Sequence, residues 1–447
     1  MKYFFETYGC QMNNAESAAL SLAARERGWI EAASPSEADL ILLNTCSVRE
    51  TAERRVRGRL AHYKAMKKKC IAASPGSRPF SLVIAGCMAQ RLGEKLKEAG
   101  ADYVMGTFAR SRFPLILEAV ELGLPFVESD EKPVFSFSSL HNDGQESSFR
   151  SFVPIMHGCN NFCSYCIVPY VRGGEVSRDP VEILNEIRLL GERGVREITL
   201  LGQNVNSYNW KEGSVNFPCL LEMIAKSIDT ARDMNSTGVR WVRFLASHPK
   251  DLSDDLIRVI AENPCFCRHI HLPVQHGSNR ILAAMNRRYT REHYLELVKR
   301  LRSAIPDLSL STDILVGFPG ETEEDLEKAL DLMDEVKFLY SYMYHFNPRE
   351  GTAAYSLPDR VDEGVKRQRL LRVIDLQKRH TRELLKSRLG QEAEVLIEGF
   401  SRKNADELIS RTERDEMLIL KRDAGAVGSF CKATLNTLRG NTFRSTK

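Results

Sequence analysis

The sequence predicts an α/β protein with three parts: a small α/β domain over residues 1–135, a partial (β/α) barrel over 149–385 and a small β-barrel over 386–447. The first observation is a set of buried-strand patterns separated by helical patterns near the amino terminus. The second is a longer alternation of apolar strands and helices after Phe152, which is typical of parallel strands with right-handed crossovers. The third is the change to short strands after Gly390, which favours a small β-barrel.

The amino-terminal part contains three predicted strands, each with a cysteine just after it. The strands are predicted over 2–5, 39–44 and 81–86. The cysteines are Cys10, Cys46 and Cys87. A helix is predicted over 14–27, and the polar stretch 136–148 is a predicted linker. Because open parallel sheets bind ligands beyond the carboxyl ends of their strands, these thiols are candidates for one shared site, with buried structural cysteines as the alternative.

The central part alternates six predicted strands with helices. The strands are predicted over 153–156, 197–201, 241–245, 269–272, 309–316 and 338–345. Predicted helices include 180–193, with Asp179 as N-cap before Pro180, and 321–336. Six such units suit a full or partial barrel with its site at the strand carboxyl ends, and an open doubly wound sheet is the alternative.

The carboxyl-terminal part begins with a long basic helix, predicted over 364–389. Short strands are predicted to follow at 394–397, 417–420 and 431–435. This tail is the part assigned above to a small β-barrel.

Composition indicates a globular protein in a reducing compartment. Hydrophobic residues make up 43% of the 447 residues and charged residues 27%. No stretch is long and apolar enough to span a membrane, and Glu6 comes too early for a signal peptide. Eleven cysteines then favour metal ligation or redox chemistry over a disulfide scaffold. We therefore expect a cytoplasmic protein without a membrane partner.

Positive charge is concentrated in two runs, although the net charge is only +4. Residues 49–69 and 366–388 each hold nine lysines or arginines and two acidic residues. A solvated helix face explains either run alone. Two such runs favour a polyanionic partner, because phosphate contacts need clustered lysines and arginines.

The most specific motif is a C-x3-C-x2-C run just after the first strand of the barrel, formed by Cys159, Cys163 and Cys166. Three thiolates can hold a cubane iron–sulfur cluster and leave one iron open for a bidentate ligand. S-adenosylmethionine can chelate that iron, and an electron from the cluster can break its carbon–sulfur bond to give a deoxyadenosyl radical. The alternative is a zinc site completed by another ligand, such as His157.

Other strand ends suit the same cofactor. Gly173 and Gly174 allow close approach of the backbone, and the Glu175 carboxylate can hold an ammonium group. Gly317 lies where a strand passes into a helix, and backbone groups there can support adenine.

The remaining histidines and cysteines carry weaker signals. His269 and His271 share one face of a strand, a pattern that usually reflects packing, so we predict no metal there. The other cysteines show no ligand spacing and are predicted to be structural: Cys70, Cys219, Cys265, Cys267 and Cys431.

Together these motifs resemble the methylthiotransferase family over nearly the whole chain. The matching stretches are 7–13, 44–50, 86–90, 159–166, 201–208, 247–249 and 272–275. Within the family, 8–13, 48–50 and 348–352 resemble the branch that acts on isopentenyl-adenosine beside the tRNA anticodon. Branches that act on threonylcarbamoyl-adenosine in tRNA or on a ribosomal-protein aspartate are the alternatives.

The resemblance implies S-adenosylmethionine and two 4Fe-4S clusters as cofactors. The radical-generating cluster would be held by Cys159, Cys163 and Cys166, and an auxiliary cluster that carries or supplies sulfur by Cys10, Cys46 and Cys87. One S-adenosylmethionine would methylate that sulfur, and a second would give the radical that abstracts hydrogen from carbon 2 of N6-isopentenyladenosine at position 37 of tRNA. Cofactor contacts are also implied for Asn204, Ser247 and Gln275.

The implied partners are the anticodon stem-loop of an isopentenylated tRNA and a reductant such as flavodoxin or ferredoxin, and the chain is expected to be a monomer. The tail resembles the family's TRAM-like RNA-binding β-barrel. It departs from the family at Arg414, Asp415 and Glu416, an acidic stretch that replaces a usual asparagine.

Overall fold

The structure is a computed structural model that describes residues 1–47, 50–73, 79–124, 135–137, 149–233, 238–245 and 247–445. The chain divides into two compact units. Unit 1 comprises Met1–Asp143, His157–Asn160 and Cys166–Glu175, and unit 2 comprises Gly144–Met156, Asn161–Tyr165 and Val176–Lys447. Unit 2 therefore contains most of the predicted barrel together with the tail, and the three domain boundaries stay a prediction. Most of the predicted linker, 138–148, lies outside the described residues.

Unit 1 is built on a parallel sheet with strand order β2-β1-β3-β4-β5. Its strands are β1 (Lys2–Thr7), β2 (Ile30–Glu31), β3 (Leu40–Thr45), β4 (Ser81–Gly86) and β5 (Tyr103–Met105). The three predicted strands are confirmed as β1, β3 and β4. The strand order reverses between β1 and β3, and in such sheets that reversal opens a binding crevice at the carboxyl ends.

Helices cover both faces of this sheet. They are α1 (Gln11–Glu26), α2 (Glu50–Ala73), α3 (Cys87–Leu92), α4 (Glu94–Glu98), α5 (Phe113–Leu122) and α6 (Val168–Arg172). Leu42 packs in one core cluster with residues of α1 and α5, whereas Ile41 packs in another with residues of α2. This two-sided burial explains why β3 and β4 each contain an uninterrupted apolar run and are buried at every residue.

The parallel strands of unit 2 follow chain order. The central strands are β6 (Arg150–Pro154), β7 (Met156–His157), β8 (Val176–Ser177), β9 (Glu197–Leu201), β10 (Asn209–Trp210), β11 (Val215–Asn216), β12 (Trp241–Phe244), β13 (His269–His271), β14 (Ser309–Val316) and β15 (Tyr340–His345). β6, β9 and β12 form one three-stranded sheet, and β13, β14 and β15 form a second. Backbone hydrogen bonds of Val242 with Cys265 and Cys267 connect β12 to the segment that leads into β13. Because the strand order never reverses, the arrangement is a partial barrel and not a doubly wound sheet.

The helices of unit 2 lie mostly between these strands. They are α7 (Pro180–Glu192), α8 (Phe217–Asp233), α9 (Asp254–Glu262), α10 (Asn279–Ala284), α11 (Arg291–Ala304), α12 (Glu323–Val336) and α13 (Glu363–Lys386). The predicted cap at Asp179 is confirmed, because its carboxylate accepts a hydrogen bond from the Val181 amide at 2.8 Å. In the described part of the chain, no helix is long and apolar enough to cross a membrane.

The tail is a strand-rich module with sheet order β19-β16-β17-β18-β21-β20. Its strands are β16 (Glu392–Phe400), β17 (Glu407–Thr412), β18 (Met417–Lys421), β19 (Phe430–Thr434), β20 (Thr437–Arg439) and β21 (Thr442–Arg444). The three predicted strands are confirmed as β16, β18 and β19, whereas β17, β20 and β21 were not predicted.

The acidic stretch of the tail holds it against the barrel. The Asp415 carboxylate accepts hydrogen bonds from the Tyr340 hydroxyl and the Arg411 guanidinium, both at 2.7 Å. The Tyr340 hydroxyl also lies 3.0 Å from Nε2 of His269. Arg243 of β12 donates to the Thr412 carbonyl at 2.9 Å. The departure from the family pattern at 414–416 therefore has a structural role within unit 2, and His269 is a packing residue.

Unfolding free energy should fall as the pH is lowered from 6.5 toward 3, because burial lowers the pKa of His269 from 6.5 to about 3. In that pH range His269 binds a proton in the unfolded chain but not in the folded protein. Lower pH therefore decreases the unfolding free energy by up to about 1.4 kcal/mol per pH unit. His269→Asn should flatten this slope in chemical denaturation at about pH 7 and about pH 5. His293→Asn, at an exposed position on α11, is the control, and equal slopes for both variants would contradict the prediction.

Candidate active site

The three amino-terminal cysteines lie at neighbouring strand ends of unit 1. Thr7 of β1 is opposite Asn44 of β3, and Thr45 of β3 is opposite Gly86 of β4. Just beyond these positions the thiols follow in order: Cys10, Cys46 and Cys87. Cys46 and Cys87 are buried, whereas Cys10 is exposed at the start of α1. The thiols therefore border the crevice that the strand order creates.

Close backbone packing brings the Cys10 loop to β3. Gly9 has a φ of 143°, and a Cβ built on it would lie 2.5 Å from the Cβ of Cys46. The Asn13 carboxamide oxygen accepts from the Cys10 thiol at 3.2 Å, and its nitrogen donates to the Asn44 side chain at 3.0 Å. Sequence reasoning gave Asn13 and Asn44 no role, although both lie in the stretches that carry the family resemblance.

A buried charged cluster in unit 1 was also missed. The Glu16 carboxylate lies 2.7 Å from the guanidinium groups of both Arg110 and Arg172, and all three side chains are at most 3% exposed. Burial opposes ionisation of Glu16, but the two arginines outweigh it and lower the pKa of that carboxyl. Burial also raises the pKa of the Cys87 thiol, against the opposing effect of Arg172. This cluster could not be predicted from a sequence motif, because its three residues come from separate segments of the chain.

The C-x3-C-x2-C run starts directly after β7 and is tightly packed at its first cysteine. The Cys159 amide donates to the Gly173 carbonyl at 3.1 Å. Gly158 has a φ of 81°, and a Cβ there would lie 1.8 Å from the carbonyl oxygen of Gly174. The Glu175 carboxylate accepts from the Asn160 amide at 3.2 Å. The close approach therefore depends on Gly158, and Glu175 stabilises the same loop. The predicted cofactor contacts of Gly173, Gly174 and Glu175 stay a prediction.

Cys163 belongs to unit 2, where its sulfur accepts a hydrogen bond from Arg287 at 3.3 Å. The neighbouring Ser164 amide donates to the Met285 carbonyl at 3.0 Å. Arg287 also donates to the Pro273 carbonyl at 2.8 Å, so it is fixed beside the thiol. Cys159 and Cys166 belong to unit 1.

The predicted cofactor residues of unit 2 follow the carboxyl ends of four parallel strands, in the order β9, β12, β13 and β14. They are Asn204, Ser247, Gln275 and Gly317. The Asn204 nitrogen donates to Asp251 at 2.7 Å, while its oxygen and the Ser247 hydroxyl are buried without a hydrogen-bond partner. Such orphaned buried groups are costly unless a ligand satisfies them. Gln275 and Gly317 have φ angles of 70° and 71°, as bends at these strand ends require.

His157 is placed in unit 1 without a hydrogen bond to either ring nitrogen. Its ring stacks on Phe135 at 3.7 Å. Burial, with help from Arg172 and Arg110, lowers its pKa well below the usual range. Among the residues that the structure describes, no three His, Cys, Asp or Glu side chains are close enough to hold a single metal ion. A cubane needs three thiolates that bind different irons, which is the donor set that each cysteine trio offers.

Two family models match this chain in the regions just described. Residues 153–333 match the Radical SAM superfamily, and residues 2–106 match the family described as Uncharacterized protein family UPF0004. The fold and the site thus define a protein with a radical S-adenosylmethionine domain.

Curated relatives extend this assignment to the full length. The chain is 49% identical to the tRNA-2-methylthio-N(6)-dimethylallyladenosine synthase of Treponema denticola, over 100% of this chain and 99% of that protein. It is 42% identical to the protein of the same name from Parabacteroides distasonis, over 97% of this chain and 93% of that protein. The chain belongs to the family of tRNA-2-methylthio-N(6)-dimethylallyladenosine synthases.

Solved structures show a similar fold. One is the radical S-adenosylmethionine methyltransferase TsrM from Kitasatospora setae with cobalamin and a 4Fe-4S cluster bound. It superposes with a TM-score of 0.55 at 13% identity and covers 79% of this chain and 77% of its own. The cobalamin-dependent S-adenosylmethionine radical enzyme OxsB has a TM-score of 0.53 at 10% identity, over 85% of this chain and 56% of its own. At this identity the likeness concerns the fold alone.

Proposed function

We propose that the protein is a tRNA methylthiotransferase that adds a methylthio group to carbon 2 of N6-isopentenyladenosine at position 37 of tRNA. It uses S-adenosylmethionine and 4Fe-4S clusters, as its family does. The observation that carries this function is a pair of cysteine trios, each at strand carboxyl ends, in a chain 49% identical over its full length to a synthase of this name.

The proposal includes two cluster sites with different roles. Their ligands are Cys159, Cys163 and Cys166 for the first site and Cys10, Cys46 and Cys87 for the second. When bound, the first cluster supplies the electron that cleaves S-adenosylmethionine, and the second supplies sulfur. Gly158 lets the cysteine loop close, and Arg287 fixes the sulfur of Cys163. The unpaired polar atoms of Asn204 and Ser247 are suited to the polar groups of the cofactor.

The anticodon stem-loop of the tRNA needs a cationic surface. Within the two basic runs, Lys67 pairs with Asp102 and Arg59 with Glu6, while Arg369 is buried against Glu321. Exposed cations remain on both helices: Arg57, Lys64 and Lys68 on α2, and Arg367, Arg379 and Arg382 on α13. We assign phosphate contacts to these exposed positions. A one-electron donor such as flavodoxin or ferredoxin and a monomeric chain complete the proposal.

Nucleoside analysis tests the substrate. Reconstituted enzyme is incubated anaerobically with S-adenosylmethionine, reductant and isopentenylated tRNA, and the tRNA is digested for mass spectrometry. We expect 2-methylthio-N6-isopentenyladenosine to form, with no product from the same tRNA lacking the isopentenyl group. Parallel reactions contain threonylcarbamoylated tRNA or ribosomal protein. A product only in one of these would transfer the assignment to another branch of the family.

A further inference from the structure

The cluster of Glu16, Arg110 and Arg172 leaves an excess of one positive charge inside unit 1. Two guanidinium groups share a single carboxylate oxygen, and all three side chains are at most 3% exposed. Glu16 Oε2, Arg110 Nη1 and Arg172 Nη2 have no hydrogen-bond partner. A buried surplus charge is costly unless an opposite charge lies close to it.

The thiols of the second site lie next to this surplus charge. Arg172 interacts electrostatically with both Cys87 and Cys10. Glu16 lies one and a half turns into α1, the helix that begins directly after Cys10. Two elements that carry the predicted ligands therefore also position the charge.

A short helix fixes Arg172 in place. Arg172 is the last residue of α6, and Cys87 packs with Val171 of this helix and with Ile167, the residue just before it. The Val171 carbonyl accepts a hydrogen bond from the Thr107 hydroxyl. Gly173 then ends the helix at a φ of 73°, and a Cβ there would lie 2.9 Å from the Phe108 ring. The guanidinium is therefore held from its backbone as well as by Glu16.

A cubane held by three thiolates carries a net negative charge, which grows by one on reduction. Hydrogen bonds to cluster sulfurs and nearby charge are among the factors that set its potential. The surplus positive charge beside Cys87 is therefore complementary to a cluster at this site, and most complementary to its reduced form.

We propose that Arg172, oriented by Glu16, is a positioning residue that stabilises the reduced state of an iron–sulfur cluster held by Cys10, Cys46 and Cys87. This inference rests on the proposed function. It assigns the Glu16–Arg110–Arg172 cluster to control of the reduction potential of that cluster and not to substrate binding.

Redox titration of the full-length chain tests the proposed role of Arg172. Cys159, Cys163 and Cys166 are all replaced by alanine, so that iron at the second site alone contributes the signal. Dithionite delivers one electron to the cluster, and electron paramagnetic resonance follows its reduction. Arg172→Met should shift the equilibrium toward the oxidised cluster at least tenfold, which is about 59 mV for one electron. Arg172→Lys keeps the positive charge, so its reduction potential should be close to that of the parent chain.

Variants of Arg110 and Glu16 test whether charge sets the direction of the change in reduction potential. Arg110→Met also removes one positive charge from this group and should likewise lower the potential. Glu16→Gln removes negative charge and should raise it. General loosening of the site cannot produce these opposite signs. Arg59→Met is the control, because Arg59 is a partly buried arginine of unit 1 that pairs with Glu6.

Two results would overturn the inference. One is a potential for Arg172→Met equal to that of Arg59→Met, and the other is a shift of the same sign for Arg110→Met and Glu16→Gln. Absence of iron from the parent triple-alanine chain would instead refute the proposed function, so the two failures are distinguishable.

Discussion

Cys159→Ala will abolish deoxyadenosine formation, whereas Cys46→Ala will leave it intact and abolish the methylthiolated nucleoside. The reason is that the two cysteines belong to separate cluster sites, one in the C-x3-C-x2-C run and one at the end of β3. Without three thiolates the first site loses the cluster that cleaves the cofactor, while the second site is needed only for sulfur. Deoxyadenosine and digested tRNA are measured by mass spectrometry after anaerobic turnover under reductant.

Iron content provides an independent measurement. Reconstituted parent protein should hold about eight irons per chain, and each variant about four. Cys219→Ala is the matched control, because Cys219 is an exposed cysteine on α8 outside both trios, so this variant should keep the iron and both products. Cofactor cleavage by Cys159→Ala, or about four irons in the parent, would contradict the two-site model.

Gly158→Ala should destabilise the protein by about 2–4 kcal/mol and remove cofactor cleavage. The added methyl group would lie 1.8 Å from the Gly174 carbonyl oxygen. In addition, residue 158 has a φ of 81°, which residues other than glycine rarely adopt. Relief of this clash requires the backbone of the cysteine loop to move, and the loop carries Cys159. Unfolding free energy is measured by chemical denaturation of the metal-free chain, and cleavage by deoxyadenosine formation.

Gly194→Ala separates the clash from the conformational cost. Gly194 has a φ of 95°, but a Cβ there meets nothing within 4 Å, so the cost should be about 1 kcal/mol with cleavage retained. Similar losses for the two variants would show that the close approach at Gly158 is unimportant.

The tail illustrates where sequence patterns failed. β17 was not predicted, because the positions that it buries include Ser410 and Thr412 as well as Leu408. The Ser410 hydroxyl donates to the Leu418 carbonyl at 2.9 Å, and the Thr412 hydroxyl lies 3.0 Å from Glu416. Polar residues whose hydrogen-bond partners come from a neighbouring strand or turn hide the apolar alternation from which strands are predicted.

The phosphate-binding surface could be predicted only in part from the two basic runs. Clustering of lysines and arginines indicated cationic helices, but several of these side chains are committed to ion pairs, such as Lys67 with Asp102. Partners of this kind come from other elements of the fold, so the surface that is available to phosphates could not be separated from the structural charges by spacing alone.

By itself, the sequence determined the alternation of strands and helices in the central part, the two cysteine trios and the family resemblance, because apolar periodicity and ligand spacing are local properties of a chain. Only the tertiary structure decided that the central strands form a partial barrel and that Arg172 lies buried against Glu16, a residue 156 positions away. An arginine is normally expected at the surface, and its burial depends on a carboxylate and on thiols that distant segments bring to it.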